Sequence, residues 1–250
     1  STDAPRGDRG ASPFLLPPVV PGTASFPEPW RPTRGGVVAL LRRLAWHAGN
    51  SRAIRVEDER RGLPHTERKP ATHVALVQVQ PRELLFRIEL LGEDDIAGTL
   101  AHEIGVAHAA LYRPEPSSPY RAAELPITVI DPDQDHERGS IATVYLGLGV
   151  LAANAAFQQY SRSGRFNGGY NPLEYDVVCA GAVPMSELAY LLAVQAAVRE
   201  AGVPAGLSPS QRDEVTAWLE VLRPRAAELR RRLGIAESTE RGRERPPVVA

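Results

Sequence analysis

A mainly helical α+β fold, with a small N-terminal sheet packed beside a helical core, is predicted by three features of the chain. Apolar residues recur at helical spacing in several segments, most clearly at Val38, Leu41, Leu44 (or Ala45) and Ala48, and again at Leu188, Leu191, Leu192 and Val198. Three short runs of strand type, 53–57, 72–79 and 84–90, follow the first helical stretch. The 250 residues are 43% hydrophobic and 24% charged, enough for one substantial buried core. The expected organisation is an arm over 1–34, a single domain over 35–235 and a solvated tail over 236–250.

Each element has a local reason. Residues 1–34 carry Pro13, Pro17, Pro18, Pro21, Pro27, Pro29 and Pro32 among Gly and Ser, with no sustained period. Such a segment buries too little apolar surface to offset its ordering entropy, so an extended or disordered arm is expected. Its apolar islands, 14–16 and 26–30, are able to dock on the body or on a partner. A helix over 34–49 stops at Gly49-Asn50. Val74, Leu76, Leu85 and Ile88 suit half-buried strands, and Gly62-Leu63-Pro64 separates the first two strands. Glu93, Asp94 and Asp95 fit the electropositive start of the next helix, whose ladder is Ile96, Leu100, Ile104, Ala107 and Leu111 and which ends before Pro114.

A second buried helix is expected over 140–160 through Ile141, Tyr145, Leu148, Ala152 and Ala155, with Gly147 and Gly149 allowing close helix packing. A polar, glycine-rich loop over 161–172 follows. Pro184 suits the first position of a helix running to Arg199. Ser208 and Gln211 have the spacing of a capping box opening a helix through Val215, Leu219 and Leu222, which Pro224 interrupts before 226–233.

Composition excludes several function classes. A formal net charge of −1 gives no bulk attraction to nucleic acid or an anionic membrane, and neither is expected as a partner. The single Cys179 cannot form an internal disulfide and has no neighbour to activate it. No leader of the secretory type is recognisable and no apolar run nears the ~20 residues of a membrane span, so a cytoplasmic protein is expected. Lysine occurs once, at Lys69, beside abundant arginine, a bias of GC-rich coding sequence. Arg230-Arg231-Arg232 reads as a solvated helix end, flanked by Glu228 and Glu237. His47 and His65 read as solvated surface, and His73 as an exposed strand residue.

The chemistry is concentrated in Thr99-Leu100-Ala101-His102-Glu103-Ile104-Gly105-Val106-Ala107-His108. In His-Glu-x-x-His, two histidines four residues apart share a helix face and grip zinc, while the glutamate activates the zinc-bound water. Here His102 and Glu103 stand in place but Val106 occupies the position of the second histidine. The next histidine, His108, lies six residues beyond His102; six residues turn a helix by roughly 600°, leaving the two about 120° apart.

The run from Asp95 to Ile104, the run Asp135-His136-Glu137-Arg138-Gly139-Ser140-Ile141-Ala142-Thr143-Val144-Tyr145-Leu146-Gly147-Leu148-Gly149 and the later Val183-Pro184-Met185-Ser186-Glu187-Leu188-Ala189-Tyr190 together resemble a zincin-like, gluzincin-type family of bacterial metallopeptidase-like proteins over roughly residues 26–222. The resemblance implies a zincin-like domain, entered through a helix, a small sheet and the His-Glu helix. In that group the second helix begins Glu-x-x-x-Asp, the glutamate being the third zinc ligand. Anchoring on Thr143 to Gly149 puts His136 at that ligand position and Ser140 at the supporting aspartate's; a register shift of one puts Glu137 there instead.

With Val106 in place, His102 and His136 would be two protein ligands where catalytic zinc sites carry three. A third could come from His108 through a helix bulge at Gly105, or from Asp135 in the acidic stretch 131–135. The preferred expectation is therefore a catalytically inactive zincin-like protein that holds no cofactor and binds an unidentified protein through its Pro-rich arm or its old cleft. The alternative is a metal-dependent hydrolase in which Glu103 is the general base on zinc-bound water.

Overall fold

The computed structural model describes residues 13–59, 73–90, 96–112, 128–130, 134–156, 158–162, 174–178 and 181–235. The mainly helical α+β class expected from the sequence is the class of the fold. Helix α1 (Arg34–His47) starts at Thr33, whose hydroxyl accepts the Gly36 N–H at 3.1 Å, and buries Val37, Leu41, Leu44 and Ala45. Strands β1 (Ala53–Asp58), β2 (His73–Val79), β3 (Glu83–Leu90) and β4 (Thr128–Val129) form a sheet ordered β1-β3-β2-β4. β1 runs parallel to β3, whereas β2 is antiparallel to both β3 and β4.

Alternation gives the sheet one buried face. Ile54, Val56, Val74, Leu76, Leu84, Phe86 and Ile88 point into a core shared with α1 and with α2 (Ile96–Leu111). Each of these large side chains stabilises the fold by roughly 1.5–3 kcal/mol through burial. A second core lies behind, among α3 (Gln134–Tyr145), α4 (Gly149–Ala155), α5 (Met185–Val198) and α6 (Pro209–Leu222). A 3-10 turn over Arg223–Arg225 containing Pro224 then leads to α7 (Ala226–Arg232), as the sequence leads one to expect. α5 buries Leu188, Leu192, Ala193 and Val198 among others and is covered on most sides.

Several elements differ from expectation. The second buried helix begins at Gln134 and breaks after Tyr145, where Gly147 takes a left-handed φ of 79°; α4 then ends at Ala155. Strand β5 (Gln158–Arg162) stands where the helix end and the start of the polar loop are expected, and pairs antiparallel with β6 (Glu174–Val178), which lies beyond that loop. Ser208 makes no side-chain cap and the capping box does not form: the Ser208 N–H donates to Asn154 Oδ1 at 3.0 Å, and Gln211 turns inward, buried, its Nε2 donating to the Ala153 carbonyl. The Pro-rich segment, from Pro13 on, lies against the body. Val19 is buried and donates to the Gly147 carbonyl at 2.7 Å, and Gln195 Nε2 reaches the Phe14 carbonyl at 3.1 Å. His47 is buried rather than solvated, because its Nε2 lies 3.3 Å from the Ser25 carbonyl and Phe26 packs edge-on against its ring. His65, Cys179, the acidic residues 93–95 and the tail 236–250 lie outside the described residues. Among the described residues no helix is long and apolar enough to cross a membrane.

Candidate metal centre

α2 and α3 meet through their glycines. A Cβ on Gly105 would collide with the Thr143 hydroxyl and the Gly139 carbonyl; a Cβ on Gly139 would stand 2.9 Å from the Val106 backbone. This close approach draws the two helices together and brings His102 and Glu103 of α2 beside His136 and Ser140 of α3. His102 Nε2 lies 3.2 Å from His136 Nδ1, with ring centroids 5.4 Å apart. One donor atom from each of His102, Glu103 and His136 can be chosen so that all lie within 4.8 Å of one another.

The hydrogen bonds fix the protonation pattern. Ser140 Oγ donates to the His136 carbonyl at 3.1 Å and accepts the Ala182 N–H at 3.0 Å. Its remaining lone pair faces His102 Nδ1 at 3.4 Å, so His102 carries its proton on Nδ1 and its lone pair on Nε2, the atom turned toward His136. Gly181 closes this side with a left-handed φ of 94°; a Cβ there would sit 3.2 Å from Ser140 Oγ and 3.5 Å from His102 Nδ1. Glu103 Oε2 accepts the Leu76 N–H of β2 at 2.7 Å, tying the helix to the sheet.

Burial governs the titration. Desolvation, with a smaller contribution from repulsion by His136, lowers the His102 pKa to about 4, so the ring is a neutral donor over the physiological range. Desolvation raises Glu103 to about 7 against the opposing pull of the Leu76 N–H. Two imidazoles and one carboxylate are the donor types of zinc and of non-haem iron sites, and 3.2 Å between nitrogens suits two ligands of one ion as well as a hydrogen bond. By themselves the three residues make a three-ligand set only with Glu103 as the third ligand. In that role it can no longer take a proton from bound water.

The remaining candidates lie elsewhere. Val106 is fully buried against Gly139 and has no lone pair to offer. His108 packs at a tilt against Tyr112 and Tyr145, with centroids 4.5 and 5.7 Å away, and burial lowers its pKa. Asp135 is buried at the start of α3 and Glu137 is exposed; neither belongs to the three-residue cluster. Sequence reasoning did not find Leu76, Gly181 or Ala182, which act through backbone groups or the lack of a side chain and leave no motif. Compared with known proteins, the chain has no significant match to a protein-family profile, a curated protein or a solved structure.

Proposed function

We propose that this chain is a zincin-like domain without peptidase chemistry that works by binding another protein. The observation carrying this reading is Val106: an aliphatic side chain, fully buried at the α2–α3 seam, stands where the motif requires a second imidazole. Glu103 can complete a three-ligand set or remain a base, and either choice leaves a zinc peptidase short of one essential group. The surface supports a binding role. Tyr112 is 71% exposed, Leu233 51% and Ile141 47%, and the last two border an apolar groove of about 240 Å³ whose wall includes Phe14 and Tyr145. The deciding test is hydrolysis of peptide substrates by tag-free protein supplied with zinc. No turnover distinguishable from that of Glu103→Gln is expected; turnover that this substitution abolishes overturns the proposal.

The cluster of His102, Glu103 and His136 favours a second reading, a metal-dependent hydrolase with an atypical site. Zinc would then be held by His102 and His136, with Glu103 as general base and a further group completing the coordination. It requires near-stoichiometric zinc that is absent from His102→Ala and from His136→Ala, together with Glu103-dependent turnover. Val106→His sharpens the choice, since a preserved zincin shell gains zinc affinity when the missing imidazole returns.

A further inference from the structure

α1 has two apolar faces, and its core-facing residues account for only one. Val37, Leu41 and Leu44 enter the core, whereas Gly36, Ala39, Leu40 and Arg43, at i, i+3, i+4 and i+7, line a concavity of about 460 Å³. Ala39 leaves the space, whereas Gly36 lets the Arg31 backbone approach the helix; Ile96 at the start of α2 and Leu151 of α4 form another part of the wall. The N-terminal segment contributes Phe26 and Trp30, the latter 42% exposed. The volume lies within the roughly 300–1,000 Å³ range of small-molecule sites.

One cation is fixed in this lining. Arg43 Nε donates to the Ser25 carbonyl at 2.9 Å and its guanidinium carbon lies 5.0 Å from the centre of the Trp46 ring. Those two interactions hold the side chain in place and leave its terminal nitrogens without a carboxylate partner among the described residues. Glu28, the one acid in the lining, is itself exposed to solvent. An apolar hollow with a pre-positioned guanidinium suits a ligand with an apolar body and a carboxylate head.

We propose that this concavity is a binding site for a small apolar carboxylate, an aliphatic or aromatic acid of medium length. Its body lies along Leu40, Ile96 and Leu151, and its carboxylate meets the terminal nitrogens of Arg43. The site is separate from His102, Glu103 and His136, and the proposal stands whether or not they hold a metal. The test is calorimetric titration of the full chain with decanoate, decanol and decyltrimethylammonium, with tryptophan fluorescence as a second readout. Decanoate is expected to bind saturably at one site, at least tenfold more tightly than decanol, with the ammonium weaker still. Arg43→Gln should cost decanoate about tenfold and leave decanol unchanged, the scale of one charge-assisted hydrogen bond. Ala39→Leu, which fills the hollow and keeps the Arg43 charge, should abolish both while the protein stays folded. Equal affinity for the three probes, absence of saturable decanoate binding, decanoate binding that survives Ala39→Leu, or tightest binding of the ammonium with loss in Glu28→Gln each overturns the proposal.

Discussion

The seam between α2 and α3 and the hollow beside α1 are built in opposite ways. Toward the C-terminal half of α2, Gly105 lets the helix press directly on Gly139 of α3, and the seam encloses His102, Glu103 and Ser140 almost completely. At its N-terminal end Gly98 still packs closely on Ala155 of α4, but Ile96 helps to line an apolar hollow left open by Ala39 of α1. Glycine removes space in the seam, whereas beside α1 the small side chain of Ala39 leaves it. Ionisable groups gather where space is absent and their pKa values are displaced; the room for a ligand body lies where the one fixed charge is an arginine.

The largest expected effect breaks the seam. Gly105→Val places methyl groups where the Thr143 hydroxyl and the Gly139 backbone already lie, and backbone cannot yield as a flexible side chain can. A loss of about 3 kcal/mol or more is expected in urea unfolding, and the His102 and His136 rings should separate if the variant folds at all. A loss below about 1 kcal/mol would mean the seam is loose and its contrast with the hollow is false.

The next effect reads the burial of the two acid–base groups through pH. Glu103 has a folded pKa of about 7 against 4.5 when unfolded, so the folded state holds the extra proton and this group's contribution falls as pH rises from 4.5 to 7. His102 has a folded pKa of about 4 against 6.5, so the unfolded state holds the extra proton and its contribution rises as pH rises from 4 to 6.5. The two slopes oppose each other and nearly cancel between 4.5 and 6.5. Glu103→Gln keeps an acceptor for the Leu76 N–H and removes one slope. Relative to the unaltered protein it should gain stability from pH 4.5 to 7, reaching on the order of 3 kcal/mol. Equal stability differences at pH 4.5 and 7.5 would show that Glu103 is not desolvated.

Much of this architecture is legible in the sequence where period and burial coincide. The expected spans for α1, α5, α6 and the first three strands lie within two residues of those observed, because one face of each packs on a core, or in α5 most of the helix does. The zincin-like resemblance, anchored on Thr143 to Gly149, implies that His136 and Ser140 stand beside His102, and the structure brings them together. The break between α3 and α4 was hidden because Leu146, Gly147, Leu148 and Gly149 are all buried, so the apolar pattern runs on through a turn. Gly149 does permit close packing, near Leu192, but Gly147 is a left-handed turn residue, and composition alone does not separate the two uses. His47 was misjudged because its burial comes from the N-terminal segment, through a pairing of positions more than twenty residues apart that no local period records.

A smaller effect tests whether Ser140 organises the seam. Ser140→Ala deprives the Ala182 N–H and His102 Nδ1–H of their common acceptor and leaves the His136 carbonyl to its helical partner. The expected loss is about 1–2 kcal/mol, the scale of a partly buried unsatisfied donor. Nitrogen NMR should then show His102 redistributed between its two neutral tautomers. A full population of the Nδ1–H form in the variant would mean that Ser140 does not select it.

The smallest effect completes the comparison from the hollow. Ala39→Leu adds three carbons beside the hollow, as Gly105→Val adds three in the seam. Here the added carbons meet free volume and the exposed edge of Trp30, and the backbone of α1 already suits leucine. The change in stability should stay within about 0.5 kcal/mol, in the stabilising direction where the new side chain buries apolar surface against Leu40 and Trp30. Substitutions of equal added volume at two sites beside the same layer of helices would then differ by several kcal/mol. Only a difference in local packing accounts for such a gap, because added bulk and apolar character are matched. A loss of about 2 kcal/mol in Ala39→Leu would mean that the N-terminal segment lies as tightly on α1 as α3 does on α2, and the hollow would have no room for a ligand.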